Sequence, residues 1–185
     1  MALTATIYKF DIDLADADRH VYDTLALQVA RHPSESEESL VARVLAYALE
    51  YTEGIAFSRG LQEPDEPAIA VRDLTGAIRV WIDVGWPDAD RLHKAGKMSP
   101  RVAVYVHKDP RQLVERLAGE RIHRREALEL YALDRQLVAS LVARLDRRMA
   151  FAMSVAGGEI TLSLGAETLT GTVVPYPLDR LARGE

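Results

Sequence analysis

The chain opens on an alternating stretch. From Thr4 to Leu14, Thr6, Tyr8 and Phe10 share one parity while Ala5, Ile7 and Lys9 share the other, which predicts a strand. Ala15-Asp-Ala-Asp18 reads as a turn. Arg19 to Ala30 alternates again, with Val21, Asp23, Leu25, Leu27 and Val29 on one parity, so the fold is expected to begin with a β-hairpin. The period then changes. Ser34-Glu35-Ser36-Glu37 follows Pro33 in the pattern of a capping box, with Ser34 as the cap and Glu37 as its acidic partner. Leu40, Val41, Val44, Leu45, Ala48 and Leu49 recur behind it at helical spacing, and Gly54 supplies a stop, which predicts a helix from Glu35 to Glu53.

Ile55 to Arg59 predicts a short extended segment, and the proline- and acid-rich stretch Leu61 to Pro67 predicts a loop. Ala68 to Arg72 suits a short strand or a helical turn, and Asp73-Leu-Thr-Gly76 a turn. Ile78 to Val84 is β-branched and aromatic and predicts a central strand. Gly85-Trp-Pro-Asp88 breaks it, and Pro87 opens a helix reaching Lys94 or Ala95. Arg101 to Val106 reads as a strand buried on both faces. Asp109-Pro110 then starts a helix carrying Leu113, Val114 and Leu117. Glu129 to Leu133 is a further strand, and Asp134 caps a helix carrying Leu137, Val138, Leu141, Val142 and Leu145. This β-α-β-α-β-α run predicts mostly parallel strands, because such crossovers are right-handed. Met149 to Val155, Gly157-Gly158 and Glu159 to Leu164 form a second hairpin pattern, with Glu167 to Val173 as a third strand and Pro175 to Glu185 as a loose terminus.

Composition narrows the class. With 185 residues, 48% of them hydrophobic, the chain fits a single folded domain over 1–185 of mixed α/β class. It has no cysteine, which excludes disulfides, thiolate metal sites and a cysteine nucleophile. The N-terminus lacks the basic-then-apolar order of a signal peptide, and no run approaches the roughly 18 apolar residues of a membrane span. The expectation is a cytoplasmic protein without membrane contact. A net charge of −5 weighs against a broad grip on nucleic acid but leaves room for a local cleft. Lys94, Lys97 and Arg101, then Arg121, His123, Arg124 and Arg125, then Arg144, Arg147 and Arg148 form local basic clusters, whose ordinary reading is a solvated helix face.

The carboxylates carry the candidate chemistry. Glu35 and Glu38 open the first long helix, Asp65 and Glu66 lie in the proline-flanked loop, and Asp83 stands among Trp81, Ile82 and Val84 in the core strand. A carboxylate in such company is costly to bury unpaired. Alternation places Asp83 on the face of Arg79 and Trp81, near the end of a strand where α/β proteins hold ligands. Two acids from separate elements with a lysine nearby suit Mg²⁺ and stabilisation of a phosphoryl transition state. The plainer reading of the same residues is that Asp83 pairs with an arginine and Glu35 caps its helix. The five histidines lack zinc-site spacing, and no nucleophile elbow, dinucleotide fingerprint or P-loop is present.

Met1-Ala-Leu-Thr-Ala-Thr-Ile-Tyr-Lys, Ala30-Arg-His-Pro-Ser-Glu35, Ser58-Arg-Gly-Leu61, Asp65-Glu-Pro67 and Trp81-Ile-Asp-Val-Gly-Trp-Pro-Asp88 together resemble the YaeQ family of bacterial proteins, over essentially the whole chain. The resemblance implies a PD-(D/E)xK nuclease-like core, a central mixed sheet flanked by helices, with additional β-hairpins. Carried onto this sequence, it makes Asp83 the acid of the second half-motif, Asp65 the first Asp with Asp73 as its rival, and Glu35 or Glu38 the helix acid. The position two beyond Asp83 is Gly85 rather than lysine, so Lys94 on the following helix is the relocated lysine, with Lys97 in reserve. Two functions follow as expectations. One is a Mg²⁺-dependent phosphodiesterase acting on nucleic acid, with Asp65 and Asp83 on the metal. The other is a non-catalytic binding or regulatory protein on the same scaffold.

Overall fold

The opening alternation becomes a hairpin of two long strands, β1 (Thr6–Asp16) and β2 (Val21–Arg31), paired antiparallel with Phe10 opposite Leu27 and Ile12 opposite Leu25. The computed structural model describes residues 4–59 and 65–179, and its chain divides into two compact units, Met1–Tyr51 with Leu133–Val173 and Thr52–Ala132 with Val174–Glu185. In the first unit, β1 also pairs in parallel with β8 (Arg148–Ala156). That strand pairs antiparallel with β9 (Glu159–Leu164), and β9 with β10 (Glu167–Pro175), so the strands run in the order β2-β1-β8-β9-β10. The inward parity of each strand is apolar: Phe10, Ile12 and Leu14, then Leu25, Leu27 and Val29, then Phe151, Met153 and Val155 are all buried. The parallel β1–β8 pair joins segments far apart in sequence, which no local pattern announces.

Helix α1 (Glu37–Leu49) belongs to this unit and is buried along Leu40–Leu49, Arg43 included. A cation so placed needs a counter-charge. Arg43 Nε donates to Glu35 Oε1 at 2.7 Å, and Nη2 donates to Glu35 Oε2 at 3.0 Å and to the Ala30 carbonyl at 2.8 Å. Helix α4 (Arg135–Val142) lies close on β10. A side chain at Gly171 would put its Cβ 2.6 Å from Leu137 Cβ and 2.9 Å from Asp134 Cβ, so the approach depends on glycine.

The second unit holds β3 (Ile55–Phe57), β4 (Ile69–Arg72), β5 (Ile78–Val84), β6 (Arg101–Val106) and β7 (Glu129–Leu133), in the order β7-β6-β5-β4-β3. β5, β6 and β7 are parallel, as the β-α-β pattern predicts, and β3 and β4 add antiparallel strands. Helices α2 (Ala89–Met98) and α3 (Pro110–Leu117) make the crossovers, and Trp81, Leu92, Val104, Leu113 and Leu117 share the core they cover. α2 sits tight against the 118–124 connection. A Cβ at Gly96 would stand 2.5 Å from the His123 carbonyl oxygen, and Arg124 donates to the Gly96 and Ser99 carbonyls at 2.7 and 2.5 Å, closing the last turn.

The chain is thus mixed α+β, with four α-helices among the described residues, and none of its helices there is long and apolar enough to cross a membrane. Boundaries differ from the sequence expectation in instructive places. The first turn falls at 17–20 rather than 15–18. α1 starts two residues late, because Ser36, not Ser34, accepts from the Ser39 N–H, while the Ser34 hydroxyl lies 2.7 Å from His32 Nδ1. α1 also ends at Leu49, well before Gly54. That glycine instead takes φ +85 in the turn into β3, where a Cβ would meet the Arg72 carbonyl oxygen at 2.2 Å. The part of the expected loop at 61–64 and the end of the expected loose terminus, 180–185, lie outside the described residues.

Two predictions follow from this packing. Gly96→Ala forces a methyl against backbone, and urea unfolding is expected to show a loss of roughly 1–3 kcal/mol. The second concerns Asp18, whose carboxylate accepts from the Gly157 and Gly158 N–H groups at 2.6 and 2.9 Å and so ties the two hairpin turns together. The Gly158 and then the Gly157 hydrogen bond hold its carboxyl below the usual carboxylate range. A depressed folded-state value adds stability above the unfolded value and loses it as pH falls through the folded one. Thermal melts should therefore place Asp18→Ala below the wild type at pH 7, with the gap closing as the carboxylate becomes protonated in acid.

Candidate functional site

Asp83 arrives at the site on β5, two positions after Trp81 and on the same face, as alternation requires. It is 3% exposed. Beyond the strand, Asp88 caps α2 by accepting from the Arg91 N–H at 2.8 Å, and this places Arg91 in the first turn with Lys94 one turn further on. Arg91 therefore reaches back over β5. Its Nε donates to Asp83 Oδ2 at 2.7 Å and its Nη2 to Asp83 Oδ1 at 2.8 Å, a two-point pairing. Its guanidinium also lies 5.4 Å from the centre of the Trp81 ring.

Two further donors complete the carboxylate. Trp81 Nε1 donates to Oδ2 at 2.9 Å and the Ala68 N–H to Oδ1 at 3.2 Å. Each oxygen thus accepts two hydrogen bonds, and the two oxygens of a carboxylate offer about four acceptor positions in all. Arg91 Nη2 also donates to the Glu66 carbonyl at 2.7 Å. The result is that segment 65–68 is stitched to β5 and α2 by one arginine and one aspartate. Burial works against the charge on Arg91, but the hydrogen bonds and charge of Asp83 outweigh it and raise the guanidinium above its ordinary value.

The other sequence candidates are distributed as follows. Lys94 pairs with Asp65 in an exposed ion pair on the same segment, so Asp65, Asp83 and Lys94 belong to one neighbourhood of the second unit. Glu35 belongs to the first unit, where it neutralises Arg43 and leaves the capping of α1 to Ser36. Glu38 is exposed in the first turn of α1, and Lys97 is exposed in the last turn of α2. Asp73 organises the β4–β5 turn, accepting from the Thr75 hydroxyl and N–H and the Ala77 N–H; the Thr75 hydroxyl leads in holding its carboxyl below the usual range. Among the described residues no group of three or more His, Asp or Glu side chains could hold a metal ion.

The arginine partner that the plainer reading gave Asp83 is Arg91, which sequence reasoning did not name and which does most to shape this site. Its only sequence signal was position: the first helical turn after a core strand carrying a buried acid is where a counter-charge reaches that acid. Removing it leaves Asp83 buried with two neutral donors. Arg91→Leu is expected to cost roughly 2–4 kcal/mol in chemical unfolding, and the double variant Asp83→Leu/Arg91→Leu less than the sum of the two single changes.

Comparison with known proteins matches the chain to a family. The family model described as YaeQ protein matches residues 1–173. The YaeQ protein of Escherichia coli (strain K12) is 34% identical over 164 residues, covering 88% of this chain and 91% of that one, and its counterpart in Salmonella typhi is 35% identical over the same share. The crystal structure of the YaeQ protein from Xanthomonas axonopodis pv. citri superposes with a TM-score of 0.83 at 33% identity, covering 93% of this chain and 98% of that one. The YaeQ protein from Pseudomonas syringae superposes at 0.82 and 29%. The residues quoted from the sequence, the fold and these relatives agree, and the chain belongs to the YaeQ family.

Proposed function

We propose that this chain is a non-catalytic binding or regulatory protein built on a nuclease-like core. The observation that carries the reading is the saturation of Asp83. A metal-dependent phosphodiesterase needs carboxylate lone pairs free to take a hard cation at about 2.0–2.1 Å. Here the two oxygens of Asp83 are spent on Arg91, Trp81 and Ala68. Asp65, the second expected metal acid, stands against the Lys94 ammonium. The residues present therefore do not fit a magnesium site. The absence of lysine at Gly85 agrees with this reading.

A second reading keeps the nuclease alive on one specific observation. Asp65 and Lys94 meet on the same segment that Asp83 anchors through Ala68, so the acids and lysine of the half-motif do share a neighbourhood. Exchange of Arg91 for a metal would be needed to use them.

Calorimetric titration of Mg²⁺ and Mn²⁺ into wild type, Asp83→Ala and the exposed-site variant Asp65→Asn separates the two. The expected result is heats equal to dilution for all three proteins. Saturable binding by wild type that is lost in Asp65→Asn would overturn the non-catalytic reading, and that comparison survives even if Asp83→Ala fails to fold.

A further inference from the structure

Where β5 ends, Gly85 takes φ +93, a conformation costly for any residue with a Cβ, and the chain turns sharply into Trp86. Trp86 packs partly against the second unit's core, beside the C-terminal end of β6 and the last turn of α3. Two cations approach its ring. Lys108 Nζ lies 5.4 Å from the ring centre and Arg116 Cζ 5.6 Å from it. Neither side chain meets a carboxylate or carbonyl among the described residues. The nearby acids are engaged elsewhere: Glu115 pairs with Arg111 at 3.5 Å, and Asp109 accepts from the Arg111 N–H at 3.0 Å. The Trp86 indole N–H is closed off from solvent and has no acceptor either.

This is a cluster of donors without acceptors in a protein of net charge −5. An orphaned buried donor calls for an explanation, and the two exposed cations beside it have the ring as their contact. Contact with the ring supplies an attraction that holds each cation in place without using its N–H groups. Arg116 thus keeps five donors in a fixed planar fork, and Lys108 keeps three around a point charge. That combination, a fork and a point charge held on a rigid platform, suits phosphoryl oxygens. Its location suits a ligand as well, since it lies at the carboxyl ends of parallel strands β5 and β6, where open α/β sheets bind small molecules.

We propose that Trp86, Lys108 and Arg116 form a metal-independent binding site for a ligand carrying phosphoryl groups. This assignment rests on the reading of the chain as a binding protein and names the ligand class it takes. Phosphoryl oxygens take the Arg116 fork and the Lys108 ammonium, and the indole that both cations contact reports the binding.

The sequence provides its own reporter. The chain has two tryptophans, and Trp81 is fully buried with its N–H on Asp83, so the two indole N–H signals in a ¹H–¹⁵N spectrum report separate places. Trp86→Phe assigns them by removing one. Pyrophosphate is titrated into the full chain in EDTA, against sodium chloride of matched ionic strength. The Trp86 signal is expected to move saturably while the Trp81 signal stays. Arg116→Gln and Lys108→Gln, both exposed substitutions, are each expected to weaken binding at least about tenfold, as is malonate in place of pyrophosphate. A Trp86 response no larger than that to sodium chloride overturns the site. Variants that titrate like wild type overturn the residue assignment, and malonate binding equal to pyrophosphate overturns the phosphoryl class. EDTA removes divalent cations, so a magnesium site at Asp83, the failure of the proposed function, is read by calorimetry and leaves this titration unchanged.

Discussion

Burying a carboxylate in an apolar strand carries an effective penalty of several kcal/mol, and only a well-placed counter-charge with further donors makes up for it. Asp83 sets that requirement for the second unit. β5 places it beside Trp81, so the indole N–H becomes a donor. Asp88 caps α2 in the register that aims Arg91 at it. Segment 65–68 is pulled in because Ala68 supplies an N–H and Glu66 supplies the carbonyl for the arginine's remaining reach. Helix, strand and loop are positioned relative to one another by a single ionised group. A neutral residue at 83 would leave Arg91 without its partner and the loop without its tether.

The first unit repeats the logic with the signs reversed. There the buried ion is the arginine, Arg43, on a helix otherwise apolar from Leu40 to Leu49, and Glu35 supplies the counter-charge from just before the helix. Two acids that the nuclease pattern would assign to one catalytic set are each committed to a cation of their own unit. The same residue types in the same order can thus serve stability. What distinguishes the roles is whether lone pairs remain available, and at Asp83 none does. Lys108 and Arg116 lie on the Trp86 ring and meet no carboxylate among the described residues, which is why ligand chemistry is better sought at that end of the strands.

Much of the fold was legible because its signals are local. β6 and β7 begin and end where the apolar runs Arg101 to Val106 and Glu129 to Leu133 do, and Gly157-Gly158 marks the β8–β9 turn. Asp88, Asp109 and Asp134 cap the helices that follow them, a role the sequence suggested plainly for Asp134. What was not legible depends on distance or on competition. The parallel β1–β8 pairing joins residues such as Phe10 and Met149, which no window contains. Ser34 and Ser36 both suit a cap, and only the engagement of Ser34 with His32 and of Glu35 with Arg43 decides for Ser36. At the site, the acids could be read from the sequence but their partners could not. A buried aspartate looks the same in a sequence whether a metal or an arginine answers it.

The most direct test of this account is a crystal soaked in Mn²⁺, with diffraction recorded where manganese scatters anomalously. The account predicts no anomalous peak at Asp83, whose oxygens should remain on Arg91 Nε and Nη2, Trp81 Nε1 and the Ala68 N–H. A peak at coordination distance from Asp83 or Asp65, with Arg91 displaced, would contradict it and restore the carboxylates to a metal-dependent active site.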